Sequence, residues 1–214
     1  MAMLERFVAS DLPRLGRAVQ ATIQRQGLVA LPTETFYGFA VDPFSEPAVE
    51  RLMRVKRRVD DKPVLILIGD LAQLSLLTTQ VSDVARLLME RLWPGALTIL
   101  FPAHPSLPQN LTAATGLVGI RLSPCDPLAG LLKTVGPVTG TSANRSGAHP
   151  VTSAQEVQDE FGDEIDLIVD AGRTPGGLPS TVIDAGHPVR LIREGAVSRQ
   201  AVQNVLQTRG LSLA

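Results

Sequence analysis

The sequence predicts an α/β layer fold built on a mixed sheet. Three observations predict it. Strand-sized apolar runs alternate with helical stretches through the whole chain. Late in the chain several strands follow one another without a helix between them. The 16 prolines and 18 glycines are spread through the connections, with no linker, repeat or low-complexity tract. At 214 residues the chain suits one domain, 1–214, large enough to bury its own core.

Each element has a local reason. Ser10 can cap a helix over 10–26, with Leu15, Val19 and Ile23 on one face and Gly27 as its stop. Residues 28–31 form a short buried strand, and a second extended piece covers 36–41. A helix over 47–57 presents Val49, Leu52 and Met53. A strand at 64–68 precedes a helix at 81–92, which Trp93-Pro94-Gly95 ends. Strands follow at 97–101 and 117–122, then a helix at 127–135 and a strand near Val138. A helix at 154–161, strands at 165–169, 181–183 and 189–192, and a helix capped by Ser198 and running to about 209 complete the chain.

Composition excludes several classes. Hydrophobic residues make up 44% and aromatics only 4%, so the core must be aliphatic. A formal net charge of -1 argues against a general polyanion binder. The single cysteine, Cys125, allows no internal disulfide and fits a reducing compartment. Residues 1–7 carry mixed charges and no apolar stretch of signal length, and the longest apolar runs are strand-sized. A soluble cytoplasmic protein without membrane contact is expected.

Six features are too polar or too particular to be read only as scaffold. Thr33-Glu34-Thr35 follows a buried strand, where open α/β sheets collect ligands; the same residues also suit a turn closed by threonine hydroxyls. Arg54, Lys56, Arg57, Arg58 and Lys62 form a basic run at a helix end, favoured there by the helix dipole. Lys56 and Arg58 cannot share a helix face, so the chain should leave the helix and extend, pointing both the same way, as a polyphosphate needs. Gly140 to Gly147, reading Gly-Thr-Ser-Ala-Asn-Arg-Ser-Gly, permits close backbone approach but lacks the phosphate-loop lysine and spacing. Gly176-Gly177-Leu178-Pro179-Ser180-Thr181 is a flexible entry to a strand, and Arg193 closes another. Arg121 is a charge inside an aliphatic strand, which requires a salt bridge or a ligand. His104, His149 and His187 lack metal-ligand spacing, and Cys125 reads as a small buried residue. No Ser-His-Asp arrangement is present.

Taken in order, these segments resemble one family. Leu31-Pro32-Thr33-Glu34-Thr35-Phe36-Tyr37-Gly38, Lys56-Arg57-Arg58 with Lys62-Pro63, Trp93-Pro94-Gly95-Ala96-Leu97-Thr98, Gly119-Ile120-Arg121-Leu122, Thr141-Ser142-Ala143-Asn144-Arg145-Ser146-Gly147, Pro179-Ser180-Thr181-Val182-Ile183-Asp184 and Ile192-Arg193-Glu194-Gly195 follow the order seen in YrdC-like proteins, the threonylcarbamoyl-AMP synthases. The resemblance covers about 12–197. Phe36 and Phe39 depart from the valine and leucine common beside Tyr-Gly, and the chain length corresponds to the single-domain form. A YciO-like branch degrades Pro-Thr-Glu-Thr, Lys-x-Arg and Ser-x-Asn, whereas all three stand here.

The resemblance implies a twisted mixed sheet flanked by helices, with a deep basic cavity. It implies a nucleotidyltransferase that joins ATP, L-threonine and bicarbonate into threonylcarbamoyl-adenylate and releases pyrophosphate, for tRNA modification. Lys56, Arg58, Ser142 and Asn144 would be the catalytic group. Lys56, Arg58, Asp60, Asn144, Thr152 and Arg193 would meet ATP, and Thr33, Arg121, Ser142 and Ser180 would meet threonine, Arg121 at its carboxylate. Asp60 is an uneasy neighbour for phosphates. Mg2+ would be held by the ATP phosphates and water, since no carboxylate cluster suggests a protein cage. Partners would be a downstream threonylcarbamoyl-transferase complex and, weakly, tRNA. The chemistry agrees: attack on an α-phosphorus needs alignment and charge neutralisation more than a protein nucleophile. An RNA-binding module and a YciO-like nucleotide binder without this activity are the competing readings.

Overall fold

The computed structural model describes residues 2–6, 11–58, 63–124 and 126–214. The expectations for Ser10, Asp60, Lys62 and Cys125 lie outside the described residues. In chain order the elements are β1 (Met3–Arg6), α1 (Leu12–Gln24), β2 (Val29–Pro32), β3 (Tyr37–Ala40), α2 (Glu46–Lys56), β4 (Leu65–Ile68), α3 (Asp83–Leu92), β5 (Leu97–Pro102), α4 (Gln109–Thr112), β6 (Leu117–Leu122), α5 (Asp126–Val135), β7 (Val138–Thr139), β8 (Thr141–Ser142), α6 (Ala154–Phe161), β9 (Leu167–Asp170), β10 (Thr181–Asp184), β11 (Arg190–Arg193) and α7 (Arg199–Gln207).

The mixed α/β class stands, but the strands divide between two sheets instead of sharing one. The first sheet has the order β1-β9-β2-β3-β8, and the second β11-β10-β5-β6-β4-β7. Both mix parallel and antiparallel pairs. The hand-over between them is short. β7 pairs with β4 in the second sheet, and β8, one residue later, pairs with β3 in the first. Gly140 is the intervening residue, and its N–H donates to Leu65 O at 2.7 Å. A Cβ there would come within 2.3 Å of Leu67 Cγ, so only glycine fits the crossing.

The helices form where capping and periodicity agree. Serine hydroxyls accept the backbone N–H three residues on at the starts of α2, α3, α6 and α7. α1 ends differently from expectation: Gln26, at φ 61, takes the left-handed turn. Gly27 is needed because a Cβ would lie 2.6 Å from Thr22 O. The predicted face of α1, Leu15, Val19 and Ile23, packs with Leu128, Leu131 and Leu132 of α5 over β2, β4 and β9. The larger core gathers Phe39, Leu52, Ile66, Ile99, Phe101, Ile120 and Phe161. β1, α4, β8 and a 3-10 turn at Leu71–Leu76 were not expected. They are two to six residues long and depend on distant partners; β1, for example, pairs with β9 some 160 positions on.

Candidate functional site: a cavity at the seam of two sheets

Strand alternation builds one wall of the site. On the second sheet Leu97, Ile99, Phe101, Val118 and Ile120 turn into the core. The alternate positions Thr98, Leu100, Gly119 and Arg121 turn the other way, and they line a cavity of about 490 Å³. That volume suits a small ligand. The opposite wall comes from the first sheet and its loop: Thr33, Thr35, Tyr37, Thr141 and Ser142. Arg58, Ser180 and Arg193 complete the lining. Arg58, Arg121 and Arg193 line the cavity, and among the described residues its lining holds no carboxylate.

At Thr33 the turn reading holds. Its hydroxyl donates to Phe36 O at 2.7 Å and accepts from the Thr35 and Phe36 N–H groups, a side-chain-closed turn. It also faces the cavity. Tyr37 fixes the neighbouring loop by donating to Gly172 O at 2.8 Å, and burial pushes its phenol up to about 12.

Arg121 is 3% exposed. Its Nη1 lies 3.2 Å from Glu34 Oε1, and Ser123 holds the other Glu34 oxygen at 3.1 Å. The pair is close but imperfectly aligned, and Arg121 Nε has no hydrogen-bond partner. Burial pulls the guanidinium below its ordinary pKa, Glu34 opposes that, and Arg193 adds to the fall. Arg121 is thus salt-bridged to Glu34 and also lines the cavity.

The basic run departs from expectation. α2 continues through Lys56 and ends at Arg57, which is left-handed at φ 50. Lys56 and Arg58 therefore do not project side by side from an extended strand. Arg58 lines the cavity and donates to Pro63 O at 3.2 Å. Lys56 is 3% exposed and sits behind the wall, donating to the carbonyls of Ser142 and Asn144. Burial and the Arg58 charge pull its ammonium down to about 7, with Glu160 opposing. Ser142 Oγ donates to Asn144 Oδ1 at 2.6 Å, and the Asn144 amide ties down the carbonyls of Arg145 and Ala148. Thr152 receives a hydrogen bond from Arg173 at 2.9 Å.

The six predicted residues Thr33, Arg58, Arg121, Ser142, Ser180 and Arg193 thus meet in one cavity. Lys56, Asn144 and Thr152 are not among its lining residues. A model of the Sua5/YciO/YrdC domain, described as telomere recombination, matches residues 21–195. The chain belongs to the Sua5/YciO/YrdC family. A Mycobacterium tuberculosis protein named putative threonylcarbamoyl-AMP synthase is 35% identical over 216 residues and covers 99% of each chain. The threonylcarbamoyl-AMP synthase of Bacillus subtilis is 35% identical over 203 residues, covering 93% of this chain and 58% of its own length. Among solved structures, P. abyssi Sua5 complexed with L-threonine matches with a TM-score of 0.89 at 31% identity, over 100% of this chain and 62% of that one. The chain therefore spans about three fifths of those last two proteins. E. coli YciO shares the fold, with a TM-score of 0.80 at 24% identity over 92% of this chain and 97% of its own.

Sequence reasoning missed three residues of this Sua5/YciO/YrdC site. Glu34 was read only as part of a polar loop, yet it is the partner of Arg121. Tyr37 was placed only in an extended piece, and its hydroxyl anchors a loop. Thr98 sits among aliphatics on the cavity side of β5, and its hydroxyl lies 2.9 Å from Ser180 Oγ. The polar-in-aliphatic signal that picked out Arg121 was available for Thr98 too.

Proposed function

We propose that this chain is a threonylcarbamoyl-AMP synthase, making threonylcarbamoyl-adenylate from ATP, L-threonine and bicarbonate. The observation that carries the reading is the convergence of hydroxyls and arginines on one seam cavity, in a fold matching a relative complexed with L-threonine. The threonine amine attacks the bicarbonate carbon and water leaves. A carbamate oxygen then attacks the α-phosphorus, and the bond to pyrophosphate breaks. Arg121, with its unpartnered Nε, takes the threonine carboxylate. Thr33, Ser142 and Ser180 orient the rest of the amino acid. Arg58 and Arg193, which line the cavity, meet the nucleotide phosphates; the family resemblance adds Asp60, Asn144 and Thr152 as nucleotide contacts, of which Asn144 and Thr152 do not line the cavity as it stands. Lys56 adds charge from behind and fixes the 142–144 segment through its two carbonyl bonds. Catalysis then rests on holding two anions in line and neutralising them.

A magnesium ion would arrive on the ATP phosphates. Phosphate and water oxygens would form its shell; among the described residues no group of three or more His, Cys, Asp or Glu side chains is gathered in one place. No described helix is long and apolar enough to cross a membrane. The reading places the protein in the cytoplasm, feeding its adenylate to a threonylcarbamoyl-transferase complex that modifies tRNA, with any direct tRNA contact weak. The test supplies ATP, L-threonine and labelled bicarbonate and follows label into an adenylate. Label in threonylcarbamoyl-adenylate is expected. Tight tRNA binding with no labelled adenylate would overturn the reading.

A further inference from the structure

We infer that Thr98 is the specificity residue that reads the substrate's β-hydroxyl. The inference rests on the synthase reading and deepens it. Thr98 is 3% exposed and its position is fixed on both sides. Its methyl fills the space across from Gly119, where a Cβ would lie 3.1 Å from Thr98 Cγ2. Its hydroxyl lies 2.9 Å from Ser180 Oγ.

Hydrogen-bond accounting shows what this pair offers. Arg193 can only donate, and it gives Nη2–H to Ser180 O at 2.8 Å and to Ser180 Oγ at 3.3 Å. The two hydroxyls hold two protons between them. One is spent on their mutual bond, so one O–H remains to donate into the cavity that both residues line. The sheet register places this donor beside Arg121. β5 pairs antiparallel with β6 through Ile99↔Ile120 and Leu100↔Gly119, so the next pair along sets Thr98 opposite Arg121. On the other side Thr98 pairs with Val182 of β10. A ligand carboxylate on Arg121 thus carries its β-substituents over Thr98 and Ser180, with Leu100 and Val182 supplying the apolar floor. A hydroxyl and a methyl on one β-carbon match that surface.

The experiment measures adenylate formation by the full chain with L-threonine, with L-2-aminobutyrate, which keeps the methyl and lacks the hydroxyl, and with L-serine, which does the reverse. The unaltered chain should prefer threonine to 2-aminobutyrate by more than about tenfold, because a site built to bond a hydroxyl rejects the analogue lacking it. Thr98→Val should cut that preference at least about tenfold while leaving the threonine-to-serine ratio and the KM for ATP within about threefold. Thr98→Ser keeps the hydroxyl and should keep the hydroxyl preference. Should Thr98→Val lose its melting transition, Thr98→Ala gives the same readout. An active chain whose Thr98→Val variant retains the full preference overturns the inference alone. So does a Thr98→Ser variant that loses it, or an equal fall in both ratios. An unaltered chain that makes no adenylate from threonine overturns the functional reading, and this inference with it.

Discussion

Lys56 holds its ammonium against two backbone carbonyls while burial pulls its pKa from 10.5 down to about 7. Between those values the unfolded chain keeps a proton that the folded one has released, so this group makes stability rise as pH climbs through that window. An arriving polyphosphate favours the charged form and moves the value back up. Nucleotide binding at about pH 8.5 should therefore take up a proton, seen as binding enthalpies that differ between buffers of different ionisation enthalpy. Lys56→Met should abolish the difference; identical enthalpies in the unaltered chain would count against this account. Arg58 lines the cavity itself, and Arg58→Ala should abolish adenylate formation while leaving the melting curve in place. At Arg121 the question is stability as well as binding. Glu34→Gln keeps the volume but leaves a buried guanidinium without its counter-charge, which should cost about 3 kcal/mol in urea denaturation.

Among the elements, the exit from α2 and the crossing from β7 to β8 shape the cavity, and glycine has opposite consequences at the two. Arg57 is an exposed residue held at φ 50, which costs a side chain with a Cβ about 1 kcal/mol. Arg57→Gly should be neutral or stabilising by up to about 1 kcal/mol, and it leaves the helix ending where it does. Gly140 has no spare room, and Gly140→Ala should destabilise by about 1–3 kcal/mol as Leu67 is pushed aside. It should also lower activity, because the displaced β8 carries Thr141 and Ser142 into the cavity. Chemical denaturation of both variants beside adenylate assays checks the contrast. If Gly140→Ala cost nothing, the crossing would be looser than its contacts indicate.

Across the whole molecule, the cavity lies between two sheets that otherwise own separate strands. A bound ligand ties the sheets together and should stabilise the fold as a unit. At a hundredfold excess over Kd the gain is about 2.7 kcal/mol, or about 5–10 °C in Tm for a chain of this size. Threonine and ATP should each produce such a shift, and Arg58→Ala should lose the ATP shift while keeping that of threonine. A chain that melts at one temperature whatever is added does not bind at this seam. By itself the sequence determined the α/β class, the main helices and strands within a few residues, and the six polar positions that meet in the cavity. The class and the elements follow from periodicity and capping serines, which act over short stretches of chain; that the six polar positions belong to one site came only from the family resemblance. The tertiary structure alone decided that the strands form two sheets, that Glu34 faces Arg121 from 87 positions away, and that Lys56 stands behind the wall while Arg58 stands in it. Such facts depend on which distant strands pair and how one helix ends. A strand two residues long such as β8 has no periodicity to read, and its partner is set only when the chain closes.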